Sequence, residues 1–184
     1  MTESPIWLIS GVPGAGKTTV AIELCRRYPK AIHLPVDDLR ELVRSGLASP
    51  LNWTVETAQQ FALARRNAAR AAADYADSGF AAVIDDVVRE PDMPQFLPHL
   101  RGRAPRKVLL RPSLTEATRR NRERSNKSFD TQVLETVTRR LYPTLNEGCS
   151  PSDGWLVVDT SEMSPAGTVD LILASSVPAG KSSP

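Results

Sequence analysis

The sequence predicts an α/β protein whose parallel sheet is covered by helices on both faces, and two observations carry that reading. Five short apolar, β-rich runs, at residues 6–9, 31–34, 81–84, 107–110 and 155–158, alternate with longer stretches of helical period or helix-favouring composition. The first run also leads directly into the glycine-rich turn Gly11-Val12-Pro13-Gly14-Ala15-Gly16-Lys17-Thr18-Thr19, and a helical pattern (Val20, Ala21, Ile22, Leu24) follows it. That strand, turn and helix order is the context in which G-x-x-x-x-G-K-[ST] cradles phosphates.

The remaining elements follow in chain order. A first helix runs from the turn to about Tyr28, where Pro29 stops it, and a second begins near Asp37. A long helix covers about 55–78 and ends at Gly79. Ser113-Leu114-Thr115-Glu116 reads as a capping box that opens a helix rich in arginine. Asp130 is placed to cap the next helix, which is expected to run through about Tyr142 before Pro143. Residues 1–174 are expected to form a single domain with a small arginine-bearing lid at about 112–130. Residues 175–184, rich in Ser and Pro, read as a flexible tail.

Composition narrows the function classes. The first residues, Met1-Thr2-Glu3-Ser4-Pro5, carry no basic leader, and the apolar run after them is too short for a membrane helix, so a soluble cytoplasmic protein is expected. Cys25 and Cys149 are far apart and lack His or Cys neighbours at metal-ligand spacing, which predicts two unpaired thiols and no zinc site. The net charge of +2 is uneven: residues 101–140 hold twelve Lys or Arg against four Asp or Glu. Such a block is either a solvated helix face or an anion-binding surface, and its company with a phosphate loop favours the second.

In the phosphate loop, Gly11, Gly14 and Gly16 let the backbone curl so that its N–H groups point inward, and the following helix N-terminus adds partial positive charge. Val12, Pro13, Ala15 and Thr19 complete the cradle, Lys17 reaches the β and γ phosphates, and the Thr18 hydroxyl is a magnesium ligand. These residues predict ATP and Mg²⁺ as cofactors.

Two acidic strand ends supply the rest of the site. Asp37-Asp38-Leu39-Arg40 follows the second run, where the carboxyl ends of parallel strands face a ligand crevice. A carboxylate there accepts the proton of an attacking hydroxyl, and Arg40, nearly one helical turn on, holds a polar or anionic acceptor. The bland alternative is that Asp37 or Asp38 merely caps a short helix. The third run ends in Asp85-Asp86, an acidic pair suited to magnesium held directly or through water, with Asp86 also placed towards the acceptor.

Arg119-Arg120-Asn121-Arg122-Glu123-Arg124 offers cations for the charge that spreads over a transferring phosphoryl group. Arg120 and Arg124 share a face as i and i+4, and are assigned to the nucleotide phosphates; Arg119 and Arg122 are expected to be solvated. Core packing is expected for Trp155, and Trp53 and Phe61 either pack or line an acceptor pocket; the loop Asp159-Thr160-Ser161 is placed to touch the base. His33 and His99 receive no role.

Together, the phosphate loop, Asp37-Asp38-Leu39-Arg40 and Arg120-Asn121…Arg124 with Val133-Leu134…Leu141-Tyr142 resemble the kinase domain of phage-type polynucleotide kinases. Val36-Asp37 and Val83-Ile84-Asp85-Asp86-Val87 resemble the chloramphenicol phosphotransferase and zeta toxin group. The resemblance implies a P-loop NTPase fold with a five-stranded parallel sheet. It also implies Asp37 as general base, Arg40 as acceptor contact and Arg124 as phosphate contact.

The expected activity is ATP-dependent phosphoryl transfer to a hydroxyl of a small-molecule acceptor such as an antibiotic, sugar or nucleoside-like compound. The alternative partner is nucleic acid, through a polynucleotide 5′-hydroxyl. A switch without an acceptor is the alternative of another class, and Asn126-Lys127-Ser128-Phe129, with Asp130 one place late, disfavours a guanine-specific one.

Overall fold

A computed structural model describes residues 4–123 and 131–176. Five strands, β1 (Ile6–Ser10), β2 (Ala31–Pro35), β3 (Ala81–Asp85), β4 (Arg106–Leu110) and β5 (Trp155–Val158), form one parallel sheet in the order β2-β3-β1-β4-β5. β1 is buried at every position, with Trp7 and Ile9 fully enclosed, as expected of a central parallel strand covered twice.

Among the described residues six α-helices accompany the sheet: α1 (Lys17–Cys25), α2 (Val36–Glu41), α3 (Val55–Asp77), α4 (Leu114–Arg122), α5 (Thr131–Gly148) and α6 (Pro165–Ser176). The crossovers β1-α1-β2 and β2-α3-β3 run in opposite directions across the sheet. Right-handed connections therefore put α1 and α3 on opposite faces, and α6 packs beside α1. α3 meets the sheet through Ala64, Ala68, Ala69, Ala72, Ala73 and Ala76, small residues that permit close approach. Thr54 caps it, accepting a hydrogen bond from the Thr57 N–H, and Gly79 at φ 85° takes the left-handed exit.

Several boundaries differ from the sequence expectation. α1 ends at Cys25, and residues 26–28 tighten into turns, with Arg27 N–H bonded to Leu24 O and Tyr28 N–H to Cys25 O. α2 begins at Val36 with Pro35 as its N-cap, so neither Asp37 nor Asp38 is a cap. α5 does not stop before Pro143 but runs through it to Gly148. The missing donor is offset by burial of Leu145 just beyond it in the core. Half of the expected capping box forms: Ser113 Oγ accepts from Glu116 N–H, whereas the Glu116 carboxylate turns to Arg119 and Arg120. Asp130 lies outside the described residues, and Ser175 and Ser176 belong to α6.

Cys25 and Cys149 are free thiols; burial pushes that of Cys149 up to about 12, which makes it a packing residue rather than a nucleophile. No helix among the described residues is long and apolar enough to cross a membrane.

Candidate active site

β1 delivers the chain into the phosphate loop, and α1 opens at Lys17 with no side-chain cap on Gly16 and no acid in its first turn. Its N-terminal N–H groups and the positive end of the helix dipole are thus left for an anion. Lys17 Nζ lies across the loop, donating to Gly11 O at 3.0 Å and Val12 O at 3.4 Å. Thr18 and Thr19 are exposed at the start of α1.

Gly14 is fixed by its surroundings as well as by its φ of 85°. A Cβ there would lie 2.2 Å from the Ala117 carbonyl oxygen of α4, so only glycine admits this packing. Asn121, buried on the same helix, donates to Pro13 O and to Thr138 Oγ1 of α5, both at 3.0 Å. The sequence reading gave Asn121 no role; its spacing of four from Ala117 on the buried side of α4 was the available signal.

Beside this loop lies a cleft of about 220 Å³ lined by Gly16, Thr19, Arg120, Thr160, Met163 and Thr168, among others. Arg120 Nε donates to Glu116 Oε1 at 2.6 Å and Nη2 to Thr160 O at 2.7 Å, which fixes the guanidinium at the lip of the cleft near Gly16. Thr160 Oγ1 is buried without a hydrogen-bond partner. Arg124 lies outside the described residues. Arg119 and Arg122 are exposed, as expected, and are held by ion pairs with Glu116, Glu123 and Glu135. Trp155 is a core residue whose Nε1 donates to Glu90 Oε2 at 2.8 Å.

Strand register assembles the other side. Pro35 pairs with Asp85, and Asp85 pairs with Ile9, so the ends of β2 and β1 stand two strand spacings apart, about 10 Å, with the acidic pair between them. Asp37 is half-buried two residues past Pro35, and Asp38 is exposed. Asp85 Oδ2 lies 2.8 Å from His33 Nε2. Asp86 accepts from Arg65 Nε at 2.6 Å and, through Oδ1, from Val87 N–H at 2.7 Å. Burial pushes the Asp86 carboxyl above the usual range; Arg65 opposes this, and the neighbouring charge of Asp37 adds to it.

Arg40 is turned inward. Its Nη1 donates to Ala48 O at 2.8 Å, its guanidinium lies over the Phe61 ring at 4.8 Å, and its buried Nε has no hydrogen-bond partner. The Arg65 guanidinium also lies over the Phe61 ring, at 5.6 Å, and Gln60 ties the 46–48 segment to α3. His33, Gln60 and Arg65 were not assigned from sequence. Arg65 carried one signal, a charged residue within the alanine stripe of α3; His33 carried none, because its partner is 52 positions away.

A glycine-rich loop feeding the first turn of α1, an acidic strand end beside it and the 2-3-1-4-5 parallel sheet give the chain the α/β fold of P-loop proteins. Residues 6–144 match the family model described as an AAA domain, and the chain belongs to that family. Comparison with functionally curated proteins returned no match.

Solved structures share the fold across nearly the whole chain. The tunicamycin resistance protein of Deinococcus radiodurans superposes with a TM-score of 0.64 at 20% identity, over 94% of this chain and 95% of that one. A sugar kinase from a Janibacter species gives 0.63 at 17% identity, over 93% of each chain. Shikimate kinase from Acinetobacter baumannii, solved with shikimate, gives 0.61 at 18% identity, over 95% of this chain and 96% of that one.

Proposed function

We propose that the chain is an ATP- and Mg²⁺-dependent kinase that passes the γ-phosphoryl group to a hydroxyl of a small molecule. The observation that carries this reading is the shared edge on which the phosphate loop, Asp85-Asp86 and Asp37 lie within two strand spacings. Lys17 and the N–H groups of the loop hold the β and γ phosphates, and Arg120 and Arg124 offset charge on the transferring group. Asp37 accepts the proton of the acceptor hydroxyl; the oxygen–phosphorus bond forms as the bond to the ADP oxygen breaks. Thr18 and Asp85 or Asp86 are all-oxygen donors suited to Mg²⁺, which neutralises phosphate charge when bound.

The small-molecule reading is favoured over a polynucleotide by the state of the basic block. Arg101 and Arg103 pair with Asp74 and Asp77, Lys107 with Glu90, and Arg122 and Arg139 with Glu135. Its cations largely face carboxylates, many of them outside the block, rather than forming a bare strip for a phosphate backbone.

The test is transfer of radiolabelled γ-phosphate to a panel of hydroxylated small molecules and 5′-hydroxyl oligonucleotides, with Asp37→Asn alongside. The variant is expected to bind ATP normally and to lose transfer on the order of 10²-fold or more; unchanged turnover removes Asp37 from the base role.

A further inference from the structure

Residues 42–55 concentrate the exposed apolar surface. Leu42, Val43, Leu47, Leu51, Trp53 and Val55 account for six of the eleven exposed large hydrophobic side chains among the described residues. The backbone that displays them is anchored. Gln60 Nε2 donates to Gly46 O at 2.8 Å, and Gln60 Oε1 accepts from Ala48 N–H at 3.0 Å. Arg40 holds Ala48 O, and Thr57 Oγ1 donates to Ser49 O at 3.2 Å. A loop anchored by two helices at Gly46, Ala48 and Ser49 displays these apolar side chains, and a cluster of exposed apolar residues of that kind marks a binding surface.

Ring and ion-pair contacts link the patch to the candidate site. Trp53, 58% exposed, stacks on Phe61 with ring centroids 5.2 Å apart, and Phe61 lies under both Arg40 and Arg65. Arg65 holds Asp86, and Arg40 lies three residues from Asp37 on the same short helix. Within residues 42–55 the single charged side chain is Arg44, and residues 45–55 carry none. A polyanion finds one cation, Arg44, on such a surface, whereas an aromatic body finds a ring to stack on and aliphatic walls.

We infer that this loop is the acceptor-specificity surface, and that the acceptor is an amphiphilic alcohol whose hydroxyl reaches Asp37 while its aromatic or apolar body lies on Trp53 and its neighbours. The inference rests on the kinase reading above and narrows its substrate class.

Full-length protein is tested with ATP and Mg²⁺ against three arms: 2-phenylethanol and 4-butylbenzyl alcohol, glycerol and glucose, and a 5′-hydroxyl oligothymidylate. Trp7 and Trp155 are buried, so emission changes on titration report Trp53. The aryl alcohols are expected to quench that emission and to accept phosphate. Trp53→Ala, at an exposed site that leaves folding intact by circular dichroism, raises their KM on the order of tenfold or more, with kcat and the KM for ATP nearly unchanged. Preference for the glycerol–glucose or oligonucleotide arm overturns the inference, as does an unaltered KM in Trp53→Ala. A dimer that Trp53→Ala dissolves in sedimentation also overturns it, assigning the patch to a second copy of the chain. Quenching by the aryl alcohols with ATP bound but no transfer to any arm keeps the surface and breaks the kinase reading instead. No quenching and no transfer from the aryl arm, with ATP still bound, overturns the surface alone.

Discussion

The two halves of the site are built by different means. The donor half is a matter of backbone: Gly14 and Gly16 in left-handed conformations, helix N–H groups without a cap, and α4 packed directly against the loop at Ala117. The proposed acceptor half is a matter of side-chain contacts: buried Arg65 on Asp86, half-buried His33 on Asp85, and Arg40 and Gln60 holding the 42–55 loop. A backbone cradle binds the feature every nucleoside triphosphate shares. A side-chain scaffold changes with each substitution, and on the function proposed above it is the part that would choose the acceptor.

The largest expected break separates the halves directly. Arg65→Met leaves the Asp86 carboxylate buried without its cation and is expected to cost about 3–5 kcal/mol in urea unfolding. Adding Asp86→Asn should return most of that loss. Failure of the double variant to recover would show that Arg65 acts through its packing on Phe61 and Phe96 rather than through charge.

On the donor side the expected effect is smaller. Asn121→Ala removes a buried amide shared by Pro13 O and Thr138 Oγ1, at about 1–3 kcal/mol of stability, together with weaker ATP binding as the loop loses its brace to α4 and α5. Calorimetric titration with ATP checks it, and unchanged affinity would detach α4 from the donor half.

The smallest effect lies at the rim. Arg119 and then Arg120 hold the Glu116 carboxylate down at about 2. A depressed acid contributes stability that is present above its unfolded value of 4.5 and is lost as pH falls towards 2. Glu116→Gln should therefore lower stability slightly above pH 5, by an amount that shrinks as pH falls towards 2, which flattens that part of the acid unfolding curve. A difference that stays constant down to pH 2 would mean that Glu116 matters through packing and hydrogen bonding to Arg120 rather than through its charge.

How much was legible in the chain follows the same division. The five strands and the phosphate loop were readable because their signals are local: apolar runs, glycines at fixed spacing, a lysine at the helix start. Asp37 and the pair Asp85-Asp86 were readable as acids at strand ends. Their partners were not: His33 meets Asp85 across 52 residues and Arg65 meets Asp86 across 21, from a helix that reads as an ordinary amphipathic one. Pro143 misled for a related reason. A local rule ends the helix there, and the burial of Leu145 carries it on.

The sequence by itself determined the parallel α/β sheet and the phosphate cradle, because backbone geometry at Gly11 to Thr18 is dictated by the residues within it. Tertiary structure alone decided that α4 locks onto Gly14, that Arg40 is turned under a loop, and that the apolar side chains of residues 42–55 are displayed rather than buried. Those outcomes depend on which distant segments meet, and no periodicity along the chain encodes the partner of a buried charge.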